Sequence, residues 1–179
     1  MSRTVYYTAT TLDGFIADEH DSLDWLFKQD LDADGPLNYE DFRAGLGAMA
    51  MGWTTYQWIL DHEQGAWPDS LKAFVFTHRD VTPVEGADVS FVQGDVAPVH
   101  AAMVEAAGDL AVWVVGGGDL AAQFAEAGLL DEVMLSIAPV TLGAGRPLFP
   151  RRYDLRLTWL DRNGAFLCAR YDVVGPLAS

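Results

Sequence analysis

Three consecutive glycines, Gly116-Gly117-Gly118, stand between the apolar run Val112-Trp113-Val114-Val115 and the segment Asp119-Leu120 that opens a helical pattern. That order puts a helix N-terminus at the carboxyl end of a buried strand. The first N–H groups of a helix have no partner within it, and its dipole favours an anion there. Glycine lets a phosphate approach the backbone with no Cβ in the way. The chemistry offered is a cradle for a pyrophosphate; a tight turn that needs positive φ is the other reading. The spacing is not Gly-x-Gly-x-x-Gly, so no Rossmann fingerprint is claimed.

A second turn of the same kind is Met51-Gly52-Trp53-Thr54-Thr55-Tyr56. Thr54 and Thr55 cap the following helix, bind phosphate oxygens, or do both. A third strand end, Phe76-Thr77-His78-Arg79, brings a hydroxyl, an imidazole and a guanidinium together. In open α/β sheets ligands lie at the carboxyl ends of the strands, so three polar or glycine ends suggest one crevice. Proton chemistry falls first to Asp24, placed before Trp25 in a short helix beside that crevice, where desolvation would suit a general acid. Asp13 precedes Gly14 and shapes a turn. Tyr56 is open between a ligand contact and aromatic packing.

The elements that must position these residues follow from periodicity. Strands are expected over 5–10, 73–77, 89–92, 111–115 and 132–137, with 48–51 an apolar run stopped by Gly52. Helices are expected over 23–27, 39–46, 54–60 with a threonine N-cap, 99–107 and 120–127. Segments 155–161 and 166–173 flank Asn163-Gly164, a hairpin signal. Strand and helix alternate, which argues a mostly parallel sheet covered on both faces, with an antiparallel edge at the C-terminus.

Composition sets the bounds. The chain has 179 residues, 21% of them charged, which suits a single domain over 1–179. The net charge of −15 argues against nucleic acid and anionic membrane as partners. It also means that local backbone donors and a few basic side chains must attract any phosphate. No apolar stretch approaches the roughly 20 residues of a membrane span, and no signal peptide precedes the first strand pattern, so a cytoplasmic location is expected. Cys168 is the lone cysteine and reads as a small buried group. His20, His62, His78 and His100 form no metal-spaced pair, and the acid run at 30–35 reads as a solvated loop. No metal is expected.

The ordered set Leu12-Asp13-Gly14-Phe15-Ile16-Ala17, Asp24-Trp25, Met51-Gly52-x-Thr54-Thr55-Tyr56, Val75-Phe76-Thr77, Val115-Gly116-Gly117-Gly118 and Leu130-Asp131-Glu132 resembles the dihydrofolate-reductase superfamily. Pro139-Val140-Thr141-Leu142-Gly143-Ala144-Gly145-Arg146-Pro147-Leu148-Phe149 completes it. The nearer branch is similar to the reductase domain of the bifunctional riboflavin-biosynthesis deaminase–reductase. The resemblance implies a three-layer α/β/α domain and an NADPH-dependent reductase, often homodimeric, acting on a small pterin- or pyrimidine-like heterocycle. Its cofactor residues would be Ala9, Ala17, Gly52, Trp53, Thr54, Thr55, Thr77, His78, Arg79, Val115, Gly116, Gly117, Gly118, Asp119 and Leu120. The loop at 11–17 would cover the nicotinamide. Asp24 and Asp13 would be catalytic, and Trp25, Tyr56, Leu142 and Gly143 would face the substrate.

Two positions depart from that pattern. Trp53 stands where relatives carry a basic residue for the 2′-phosphate, and Asp119 puts an acid beside the glycine triplet. Trp53 can stack on adenine and Arg79 can replace the missing charge. A weakened preference for NADPH over NADH is therefore expected. The alternative is a non-catalytic ligand-binding relative with a degraded cofactor site. No zinc-ligand set of the deaminase type occurs in the chain.

Overall fold

The apolar run before the glycines forms β6 (Ala111–Gly116), and its side chains alternate between two faces. Val112 and Val114 are fully buried in one cluster with residues of α4 (Val96–Ala107) and α5 (Gly118–Glu126). Trp113 and Val115 pack on the opposite face, in a cluster that contains Tyr56 of α3 (Trp53–His62) and Phe42 of α2 (Tyr39–Ala44). A third, smaller cluster on that side seats Trp25 of α1 (Asp24–Phe27) against Phe166 and Cys168. The result is helices on both faces of one sheet, as expected.

The computed structural model describes residues 2–178. Its sheet combines β6 with β1 (Thr4–Thr11), β3 (Leu46–Gly52), β4 (Lys72–Phe76), β5 (Val89–Val92), β7 (Glu132–Ala138), β9 (Tyr153–Asn163) and β10 (Phe166–Pro176). The eight strands run in the order β5-β4-β3-β6-β1-β7-β10-β9. All neighbours from β5 to β7 are parallel, and β10 and β9 add antiparallel at the edge. Gly164 in the hairpin turn has φ +57, and its bare Cα lies against the Asp30 backbone, so the Asn-Gly signal marks a close approach as well as a turn.

A second, two-stranded ribbon pairs β2 (Phe15–Ala17) with β8 (Arg146–Pro147). The loop expected at 11–17 thus contains β2, and no element was expected at 146–147, because strands of three and two residues are too short to show a period and each one's partner is distant in the chain.

Three boundaries differ from expectation for physical reasons. The helix expected over 54–60 starts at Trp53, with Gly52 as N-cap and no side-chain cap, so the threonines do not cap it. The helix expected over 99–107 starts at Val96, because Pro98 in a first turn needs no amide partner. The helix expected to reach residue 46 stops at Ala44, and Leu46 opens β3 instead, pairing with Ala111.

Candidate active site

Adjacent strands β3 and β6 end side by side, with Met51 registered on Gly116. Their carboxyl ends open into a cleft of about 1210 Å³. Two helices start at its wall, α3 from Gly52 and α5 from Gly117. Both point unpartnered first-turn amides and the positive end of a dipole at the same space.

The glycine turn divides its labour. A Cβ at Gly118 would strike the carbonyl oxygens of Pro147 and Leu148, so that glycine exists for packing against β8. A Cβ at Gly117 would meet only the Ile16 side chain, at 4.0 Å, and would stand toward the cleft. The turn is neither walled off nor aimed away: Val115, Gly116, Gly117, Gly118 and Asp119 all line the opening. Leu120, the next residue, is 7% exposed and belongs to the core.

The Gly52 turn is equally open. Gly52, Trp53, Thr54 and Thr55 line the cleft, and a Cβ at Gly52 would meet nothing within 4 Å. Thr54 and Thr55 line the same space as the glycine triplet, and the Thr55 hydroxyl stands 3.8 Å from where a Gly116 Cβ would be. The third strand end contributes less. Thr77 accepts from the Arg79 amide, His78 is exposed beside Gln93, and none of Thr77, His78 or Arg79 lines the cleft. Arg79 reaches it indirectly, with its guanidinium carbon 5.2 Å from the Trp53 ring centre.

Ala9 and Ala17 also line the cleft. Asp24 does not: Leu23, Leu26 and Phe27 turn inward while Asp24 is exposed on the outer side of α1. Its neighbour Trp25 is buried against Phe166 and Cys168 instead of facing a substrate. Tyr56 is 1% exposed and packs on Trp53, Trp67 and Phe91, so its position is aromatic packing. Asp13, Leu142 and Gly143 form a latch away from the cleft. The Asp13 carboxylate accepts from the Thr11 hydroxyl at 2.6 Å and from the Gly143 amide at 2.8 Å. The Thr11 hydroxyl above all, with the Gly143 and Leu142 amides, holds its carboxyl below the usual carboxylate range.

Other residues in and beside the cleft complete its walls. Phe27 of α1 and Trp58 of α3 stack at 6.0 Å across the mouth. Tyr7 donates to the Leu37 carbonyl at 2.9 Å, and burial raises its hydroxyl above the ordinary tyrosine value. Arg146 binds Asp21 through two contacts, 2.6 and 3.0 Å. Arg151 bridges Asp119 and Glu126, which moderates the acid beside the glycine turn. The wall at 29–40 hangs on the hairpin: the Asn163 side chain bonds Asp32 and Pro36, and the Ala165 amide bonds Asp30. Among the described residues no group of acidic, histidine or cysteine side chains is placed to hold a metal ion, and no helix is long and apolar enough to cross a membrane.

Residues 4–161 match the family model described as the RibD C-terminal domain. Two curated relatives come from Bacillus subtilis (strain 168), both described as uncharacterized proteins. YwjB is 29% identical over 147 residues, 82% of each chain. YyaP is 30% identical over 158 residues, 82% of this chain and 80% of that one. Among solved structures, a putative riboflavin biosynthesis protein from Shewanella sp. PV-4 superposes with TM-score 0.81 at 24% identity, over 96% of this chain and 99% of that one. A diaminohydroxyphosphoribosylaminopyrimidine deaminase/5-amino-6-(5-phosphoribosylamino)uracil reductase from Thermotoga maritima superposes with TM-score 0.64 at 14% identity, and this chain spans 57% of it. At these identities the two structures establish the shared fold.

Proposed function

Since this chain belongs to the RibD C-terminal domain family, we propose that it is a reductase that uses a reduced nicotinamide dinucleotide to reduce a small heterocycle. The observation that carries the reading is the open Gly117 turn: two helix N-termini, with Thr54 and Thr55 beside one of them, line one cleft. A dinucleotide needs such a set, because its pyrophosphate is recognised chiefly by backbone donors.

In this reading Gly117, Gly118 and Thr54–Thr55 hold the pyrophosphate, and Trp53 with Arg79 receives the adenosine end. When bound, the reduced nicotinamide supplies a hydride and leaves oxidised. The protein's own part is position, water exclusion and a proton. Ala9 and Ala17 are small enough for a flat ring to lie against β1 and β2. The Asp13 latch fixes the 11–17 loop over that place. The proton comes from a cleft group or an ordered water; Asp24, exposed and turned away, is not its source.

The test is titration of the purified chain with NADPH and with NADH, followed by tryptophan fluorescence and thermal unfolding. Ligand at 100 times its dissociation constant stabilises by about 2.7 kcal/mol. Both cofactors are expected to bind, with a preference for NADPH under about 100-fold, because no basic residue follows Gly52. No shift with either cofactor overturns the reading and favours the non-catalytic one. Asp119 at the turn and the Asp21 lock on Arg146, the cleft's basic lining residue, are the observations behind that second reading.

We also propose a homodimer through the β9 edge. Leu155, Leu157 and Leu160 on β9 and Leu167 on β10 are 41 to 53% exposed beside an edge strand whose outer hydrogen-bonding groups face no other strand among the described residues. Light scattering at micromolar concentration checks it; a monomer refutes it.

A further inference from the structure

The far half of the cleft, away from the glycine turn, has a distinct chemistry. Its wall is the 29–40 segment, closed by Phe27, Trp58 and Trp113. The charged groups on that wall are Asp32 and Glu40. Arg146 is the one cationic residue among the described lining residues of the whole cleft, and it lies on β8, already bonded to the Asp21 carboxylate through Nε and one Nη. A phosphate ester entering the far half would thus meet two carboxylates and no free cation.

We propose that the substrate is a planar aromatic heterocycle without a phosphate group, neutral or cationic. This rests on the reductase reading of the same cleft and sets it apart from reduction of a phosphoribosyl substrate. Phe27 and Trp58 present an aromatic lip, their rings 17° from parallel, and Trp113 forms the floor, its indole N–H already satisfied by the Tyr7 carbonyl at 3.1 Å. Such a surface rewards a flat π-system and holds no cation for a phosphate. Asp32 and Glu40 attract amino groups or a ring cation and repel an anion.

The experiment uses matched probes that differ only by a phosphate ester: riboflavin and FMN, pyridoxine and its 5′-phosphate, thiamine and its monophosphate. Binding to the full chain is measured by calorimetry at fixed ionic strength. The unphosphorylated member is expected to bind at least about tenfold tighter in the pairs that bind, the order of one close charge repulsion near a protein surface. In the double variant Asp32→Asn, Glu40→Gln that ratio is expected to fall toward one. Equal or tighter binding of the phosphorylated members overturns the proposal, as does a ratio unchanged in the double variant, or no binding below millimolar by any probe. The NADPH shift on the same sample reports separately on the reductase reading. A shift together with a phosphate preference sinks only the substrate class, whereas no shift with the ratio intact sinks only the reductase.

Discussion

Asn163 grips the backbone of Asp32 on both sides: its Oδ1 accepts from the Asp32 amide at 2.9 Å and its Nδ2 donates to the Asp32 carbonyl at 3.0 Å. The two residues are 131 apart in sequence, and Asn163 is 2% exposed. A hairpin turn at the sheet edge thereby fixes a wall of the cleft. Replacing Asn163 with Ala leaves part-buried backbone groups of Asp32 and Pro36 unpaired, so a loss of about 1–2 kcal/mol is expected, read from the denaturant midpoint. Parent-like stability would show the grip to be dispensable.

The two inner glycines should separate on mutation. Gly118→Ala drives a methyl into the Pro147 and Leu148 carbonyls and is expected to lose about 1–3 kcal/mol of stability. Gly117→Ala keeps an ordinary φ of −81 and should fold within about 1 kcal/mol of parent. It puts its methyl where the pyrophosphate would lie, so NADPH affinity should fall by about tenfold or more. Unaltered affinity in Gly117→Ala removes the pyrophosphate from that turn.

Asp24→Asn is expected to leave turnover of NADPH and unfolding temperature unchanged, since the carboxylate is exposed on the outer side of α1. A tenfold drop in turnover would return Asp24 to the chemistry.

Asp13→Ala should loosen the 11–17 loop from the 142–143 segment without unfolding the sheet. The bonds lost join Asp13 to the Thr11 hydroxyl and to the Gly143 and Leu142 amides. Faster amide exchange confined to 11–17 and 142–143, with weaker NADPH binding, is the expected pattern. Exchange rates equal to the parent's would show that other contacts hold the loop.

His100 gives a pH dependence. Burial lowers its folded pKa below the ordinary 6.5, against a smaller opposing pull from Asp131. In the interval between the two values the unfolded chain binds the proton and the folded one does not. Stability contributed by this residue is therefore intact above about pH 6.5 and falls as pH drops through that window to the folded value. The neutral ring pairs with the Thr4 hydroxyl at 2.7 Å. Unfolding free energy measured from pH 7.5 down to 5 should decline less steeply in His100→Gln; parallel profiles would exclude the residue.

The chain order of strand, glycine and helix was legible without coordinates, because each link is local. β6 declares itself by an apolar run, α5 by its glycine start, and the edge hairpin by Asn163-Gly164. The ordered motifs carried the resemblance, and family and fold agree with it. Residue roles were less legible. Whether Thr54 caps or faces ligand depends on one residue of helix phase, and Asp24 lies outside because Trp25 claims the inward direction of a four-residue helix. The β2–β8 ribbon, the Asn163 grip and the Asp13 latch join segments more than a hundred residues apart. Local pattern reports which face of an element is apolar; it carries no record of which distant backbone groups that face will meet, and only the packed chain decides that.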